Sequence, residues 1–213
     1  MEDRAQRRHD RSFELAATVL LAIAAVATAW AAYQSARWHG EQAKAQSASI
    51  AARVESARTA GVANREAQID VALFTQWVDA DAHDETDLAD FYRKRFRTEF
   101  QPAFGAWVAT RPKTNPDAPL SPFAMPQYKL AATANAQRLE TRAAAFSASV
   151  GSLIQRADNY SLAVVLAAVS LFFAGISTRL VSRTTRTVVL GMGYTLFLGA
   201  AIWVATFPVS LAV

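Results

Sequence analysis

The chain contains no cysteine. That excludes disulfides, thiolate nucleophiles and cysteine-ligated metals, while leaving the compartment open. Histidine is nearly as scarce, at positions 9, 39 and 83 alone, so a histidine-built catalytic relay has little to draw on. No HExxH, GxSxG or P-loop pattern occurs, and Gly191-Met-Gly193 lies inside an apolar run where it cannot cradle phosphate. Neither an enzymatic activity nor a cofactor is expected. Proline is missing before Pro102, which permits very long helices. Charge is missing from three whole stretches. Leu15–Tyr33, Tyr160–Ser177 and Val188–Phe207 contain no Asp, Glu, Lys, Arg or His. Runs of that length reach roughly 27–30 Å as helices, enough for a hydrocarbon core. Coupled transport by ion relay needs an intramembrane charge, and these runs offer none.

Three membrane spans are therefore predicted. The first is the least hydrophobic, since nine of its nineteen residues are alanine. Ala27-Thr28-Ala29 resembles a signal-peptidase site, but the long apolar run with no breaker after it reads as an uncleaved anchor. The net charge of +4 does not spread over the chain. Residues 34–159 hold fifteen Lys/Arg against fourteen Asp/Glu, whereas Arg4, Arg7, Arg8 and Arg11 precede span one and Arg179, Arg183 and Arg186 separate spans two and three. Both basic flanks fall on one side, cytoplasmic by the positive-inside rule. Trp30, Tyr33, Tyr160, Trp203 and Phe207 fall at the opposite ends, as interfacial aromatics do. The expected order is a cytoplasmic N-terminus (1–14), span one (15–33), an extracytoplasmic region (34–159), span two (160–178), a cytoplasmic loop (179–186), span three (187–207) and an extracytoplasmic C-terminus (208–213).

One predicted helix organises the rest. From about Gln127 it carries Ala136, Leu139, Ala143, Phe146, Val150, Leu153, Ala157 and Tyr160 at alternating steps of three and four, a coiled-coil stripe. The stripe continues into span two through Val164, Ala167, Leu171 and Ala174. Such a helix needs a partner along its length. The continuation of span one supplies it, as one helix over about 13–79. There Ala43, Ser47, Ile50, Val54, Ala57 and Gly61 form the expected facing stripe, and the phase is expected to slip from Ile69 to Leu73 and Trp77, where a head begins.

The acidic segment 79–87 predicts a turn, with Asp84 or Thr86 capping a new helix. That helix carries Leu88, Tyr92, Phe96, Phe100, Phe104 and Trp107 on one aromatic stripe, and Pro102 should kink or restart it. Residues 111–126 hold five prolines and read as a loop packed on the head through Phe123. The head spans about 80–126.

Asp79, Asp81, Asp84 and Asp90 are the candidate oxygen ligands for a hard cation, although an EF-hand loop would need Gly at the position of Asp84 and Glu at that of Asp90. A solvated corner with capping acids explains the same residues. Tyr92-Arg-Lys-Arg-Phe-Arg97 mixes base with aromatic as nucleic-acid and anionic-lipid surfaces do; its expected extracytoplasmic place argues against nucleic acid, and Asp90 at i,i+4 gives Lys94 a local partner on a charged outer face. His39, just above span one, is placed to sense pH or bind a ligand near the headgroups, although a lone interfacial histidine usually does neither. In the spans, Ala163, Ala167, Ser170, Ala174 and Ser177 form one small-residue stripe, and Gly191, Thr195 and Gly199 another; both permit close helix approach in lipid. Span three could use its stripe within the chain, against span two, or between copies.

Trp30–Ala45 (WAAYQSARWHGEQAKA), Thr75–Ala80 (TQWVDA), Leu88–Phe96 (LADFYRKRF) and the closing SLFFAGIST and WVATFPVS resemble a group of uncharacterised bacterial three-span membrane proteins. The resemblance covers nearly the whole chain and implies a bacterial inner-membrane location with this span arrangement. The group has no assigned activity, so no functional residue carries over. A looser analogy is to chemoreceptor-type sensors, which hang a helical bundle between two spans; here the expected cytoplasmic parts are a short N-terminus and an eight-residue loop, so sensing would have to pass to a partner.

The expectation is an all-α protein: three transmembrane helices, a long extracytoplasmic helical hairpin and a small aromatic head. Its expected partners are the lipid bilayer and either further copies of itself or another membrane protein, with no known small-molecule substrate. The expected role is a non-enzymatic scaffold or interaction protein. An oligomeric pore, or a sensor relaying to a partner, is the alternative.

Overall fold

The computed structural model describes the backbone of residues 2–210 and side chains from residue 11 onward. The expectations for Arg4, Arg7, Arg8 and residues 211–213 lie outside the described residues. The fold is all-α, with no strand among the described residues. The helices are α1 (Glu2–Ala82), α2 (Thr86–Arg93), α3 (Gln101–Ala109), α4 (Ala131–Ser177) and α5 (Arg183–Val204), with a 3-10 turn at Pro122–Ala124. Helices α1, α4 and α5 are long and apolar enough to cross a membrane. The organising helix starts at Ala131 rather than near Gln127, the intervening residues being used to close the head.

The chain divides into two compact units, Met1–Ser47 with Phe146–Val213, and Ala48–Ala145. In the first unit α1, α4 and α5 pack as three helices. At one end the Arg186 guanidinium lies 4.1 Å from the centre of the Phe13 ring, and the Tyr194 hydroxyl donates to Ala16 O at 2.8 Å. Leu20, Ala17, Ala174 and Leu190 are buried beside them. At the other end Gln34 is fully buried. It accepts from Ser210 N at 3.1 Å and donates to Ser210 O at 3.4 Å, while the Tyr160 hydroxyl donates to Pro208 O at 3.2 Å. Segments on either side of α5 thus sit at opposite ends of this unit, and the α1 residues Phe13 and Ala16 share one end with Arg186 and Tyr194.

In this unit α1 meets α4 through Ala31, Ser35 and Trp38 facing Ala157 and Tyr160. In the second unit α1 meets α4 through Ser49 and Ser56, whose hydroxyls donate to Ala143 O at 3.0 Å and Ala136 O at 2.9 Å. All the α4 stripe positions from Ala136 to Tyr160 are buried or half-buried. The facing stripe is not the expected one. Ala43, Ser47, Ile50, Val54 and Ala57 are exposed and Gly61 only half-covered, whereas Ser49, Ser56, Ala63 and Asp70 are buried at steps of seven. A small hydroxyl lets the two backbones approach and finds its own acceptor on the opposite helix, so the polar residue is favoured inside. The same step continues to Trp77, and Leu73 and Ala80 are covered too, so no phase slip occurs after Ile69.

The head belongs to the second unit. Phe96, Phe100, Phe104 and Trp107 are buried against Leu73, Phe74 and Trp77 of α1 and against Phe123, Met125 and Tyr128. Edge-to-face pairs dominate, such as Trp77–Phe104 at 4.8 Å and Phe74–Phe123 at 5.5 Å, the arrangement ring quadrupoles favour. Pro102 sits in the first turn of α3 and restarts the helix. Two expectations fail here. Leu88 and Phe91 are exposed and Tyr92 half-exposed, because α2 ends at Arg93 and the chain turns before Phe96, so the stripe is broken. Neither Asp84 nor Thr86 caps α2. Glu85 is its N-cap, without a side-chain cap bond, because Asp84 is taken up by the left-handed turn at φ 57°.

Candidate functional site

Among the described residues the most connected polar group is built around Arg97, in the link between α2 and α3. Its Nη1 donates to Asp70 Oδ2 at 3.0 Å, and its Nη2 meets Glu66 Oε1 at 3.1 Å and Glu99 Oε2. Tyr128 donates to the same Asp70 oxygen at 3.2 Å, and Glu99 Oε1 accepts from Ala131 N at 3.2 Å. Glu99 thereby binds an orphan N–H of the α4 N-terminus, where a negative charge is favourable. Three carboxylates share one guanidinium, and four segments are tied at one point.

Asp70 is fully buried on the α1 seam. Its Oδ1, like Glu66 Oε2, is buried without a hydrogen-bond partner. Burial pushes the Asp70 carboxyl above its usual range, against the opposing pull of Arg97 and the Tyr128 hydroxyl. Tyr128 is pushed up to about 12, by burial first and then by the Asp70 charge. Burial works against the charge on Arg97, but Asp70 and Glu66 more than offset it, and its pKa is raised. The cluster is a structural lock with surplus negative charge. Sequence reading missed it because a lone Asp, Glu and Arg look like surface residues. The available signal was Asp70 falling seven residues after Ala63, in step with Ser49 and Ser56.

The acidic corner does not assemble. Among the described residues no group of three or more His, Asp or Glu converges to hold a metal. Because α1 runs on to Ala82, Asp79 and Asp81 point about 200° apart around one helix. Asp79 lies beside His83, whose Nδ1 is 3.7 Å from its carboxylate, while Asp81 pairs with Lys113 at 2.8 Å. Asp84 sits in the turn and Asp90 is exposed on α2. The basic run also separates. Arg97 turns inward, Arg95 stacks 3.3 Å over the Phe91 ring, and Lys94 forms no ion pair with Asp90. His39 is exposed beside Gln42 at 3.2 Å.

Within the first unit, Ala163, Ala167, Ser170, Ala174 and Ser177 of α4 are all buried. Gly191, Thr195 and Gly199 of α5 are exposed, and a Cβ on either glycine would meet nothing within 4 Å. The glycine that packs on α4 is Gly193, where a Cβ would stand 3.3 Å from Ser170 O and from Phe173 Cβ. Leu190 and Ala200 are buried on that same side of α5. The reading in which Gly191, Thr195 and Gly199 pack against span two of their own chain is therefore overturned. No family model, no curated protein and no solved structure matches the chain.

Proposed function

We propose that the protein is a non-enzymatic, self-associating membrane scaffold that offers its helical region, residues 34–159, to partners outside the cytoplasm. The observation that carries self-association is the division of α5. Its Leu190–Gly193–Ala200 side is used within the chain, while Gly191, Thr195 and Gly199 line the free side. In lipid, apolar surface alone gives no reason to associate, and small residues that admit a close neighbour do. The positive-inside rule, applied to the arginines that the sequence places before span one and between spans two and three, supports a cytoplasmic N-terminus. The resemblance to bacterial three-span proteins supports the inner membrane.

The test is cross-linking in membranes. Gly191→Leu with Gly199→Leu should lower the cross-linked oligomer while protein level and monomer folding stay as in wild type. A double variant that cross-links like wild type contradicts the reading. Ion conductance of the purified protein in bilayers would instead favour an oligomeric pore.

A further inference from the structure

The head carries a cleft that the Arg97 cluster does not use. It encloses about 250 Å³, walled by Trp77, Trp107, Val108 and Pro112. Trp107 has already given its indole N–H to Pro119 O at 2.7 Å, so it contributes ring surface rather than a donor. Three charged side chains line the rim. Two of them, Asp81 and Lys113, are bound to each other at 2.8 Å. The third, Arg111, makes no side-chain hydrogen bond or ion pair among the described residues, so the lining carries one uncommitted positive charge.

Arg111 is also the wrong residue for its backbone. It follows the α3 C-cap Thr110 and has φ 55°, the left-handed position where helices usually place glycine. Its N–H bonds Val108 O at 3.0 Å and its carbonyl accepts from Asn115 N at 2.9 Å, so the main chain does the capping by itself. Glycine would make the same bonds with less strain. The side chain adds nothing to the turn, and non-glycine residues held in this region cluster at ligand clamps.

We propose that this cleft binds a small carboxylate carried on an aromatic ring. The ring would lie against the two indoles, and the carboxylate would take the forked guanidinium of Arg111, whose geometry matches two carboxylate oxygens. A cleft of this size is below the usual range for drug-sized ligands, about 300–1,000 Å³, which limits the ligand to about one ring system. The Asp81–Lys113 pair keeps the neighbouring acid from repelling the anion.

Calorimetry on the full-length protein in lipid nanodiscs tests this with three probes. Phenylacetate should bind saturably, while phenylacetamide, which lacks the charge, and acetate, which lacks the ring, should each bind at least about tenfold more weakly. Arg111→Gly should weaken phenylacetate by about tenfold or more, with a thermal midpoint equal to or above wild type. Arg111→Gln, which keeps the chain length, should lose affinity likewise. Absence of saturable phenylacetate binding, equal affinity for the amide, or full affinity in Arg111→Gly would each overturn the proposal.

Discussion

Ser56 donates its hydroxyl to the carbonyl oxygen of Ala136 across 2.9 Å, joining α1 to α4 at a point where a buried serine faces a buried alanine. The Ala136 carbonyl keeps its place in the α4 helix, so this bond is additional. Ser56→Ala should therefore cost only about 1 kcal/mol. Ser56→Leu forces bulk between the backbones and should cost roughly 1–3 kcal/mol or more. Val54→Ser, on the exposed face, should stay within about 0.5 kcal/mol. Chemical unfolding of the three variants orders them; a larger loss for Val54→Ser would return the seam to the Ile50–Val54 face.

The contrast between those two faces shows what the sequence made legible. The α4 stripe was readable because Leu139, Phe146 and Leu153 are bulky and step by three and four. The α1 partner was not, because its buried positions are Ser49, Ser56, Ala63 and Asp70, while the tempting Ile50 and Val54 face outward. Apolar periodicity ranks residues by transfer to oil, and a closely packed seam selects by size and by whether a hydroxyl can find an acceptor. The aromatic head was visible as a composition, and Phe96 to Trp107 do form its core. The break after Arg93 was not visible, since no proline or glycine marks it. Nor was the Arg97 lock, which joins residues distant in sequence through charges that elsewhere would be solvated.

That lock makes a directional prediction. Removing Arg97 leaves Asp70 buried without its counter-charge, so Arg97→Met should cost about 3–5 kcal/mol, as breaking buried pairs does. Asp70→Asn keeps the shape and removes the charge, and should cost less. Equal small losses would mean the cluster is solvated.

The same carboxyl sets a pH dependence. Burial raises the Asp70 pKa above its ordinary 3.8, so the folded state binds more protons than the unfolded state over that interval. Its contribution to stability is complete below 3.8 and is lost as pH rises through the raised folded value. Denaturant titrations of wild type and Asp70→Asn across mildly acidic pH should differ in slope, the variant lacking this loss. A wild-type stability that rises more steeply with pH than that of the variant would mean that Arg97 and Tyr128 outweigh burial at Asp70, and would contradict the raised pKa.

Gly193 and Gly199 lie six residues apart on α5 and should answer differently to the same change. Gly193→Leu pushes a side chain into Ser170 and Phe173, so it should lower protein level and thermal midpoint. Gly199→Leu meets open space and should leave both as in wild type. Quantitative blotting and thermal shift of the purified single variants read this, and the opposite order would reverse the assigned faces of the helix.

The most direct measurement is thiol labelling in intact cells, and the absence of cysteine makes it clean. Ser121 lies in the loop between α3 and α4, and Ser182 in the short basic link between α4 and α5. Three spans with residues 34–159 outside require a membrane-impermeant reagent to label Ser121→Cys and to spare Ser182→Cys until the cells are broken. Labelling of Ser182→Cys with protection of Ser121→Cys would invert the protein in its membrane. Labelling of both would contradict the three-span arrangement itself.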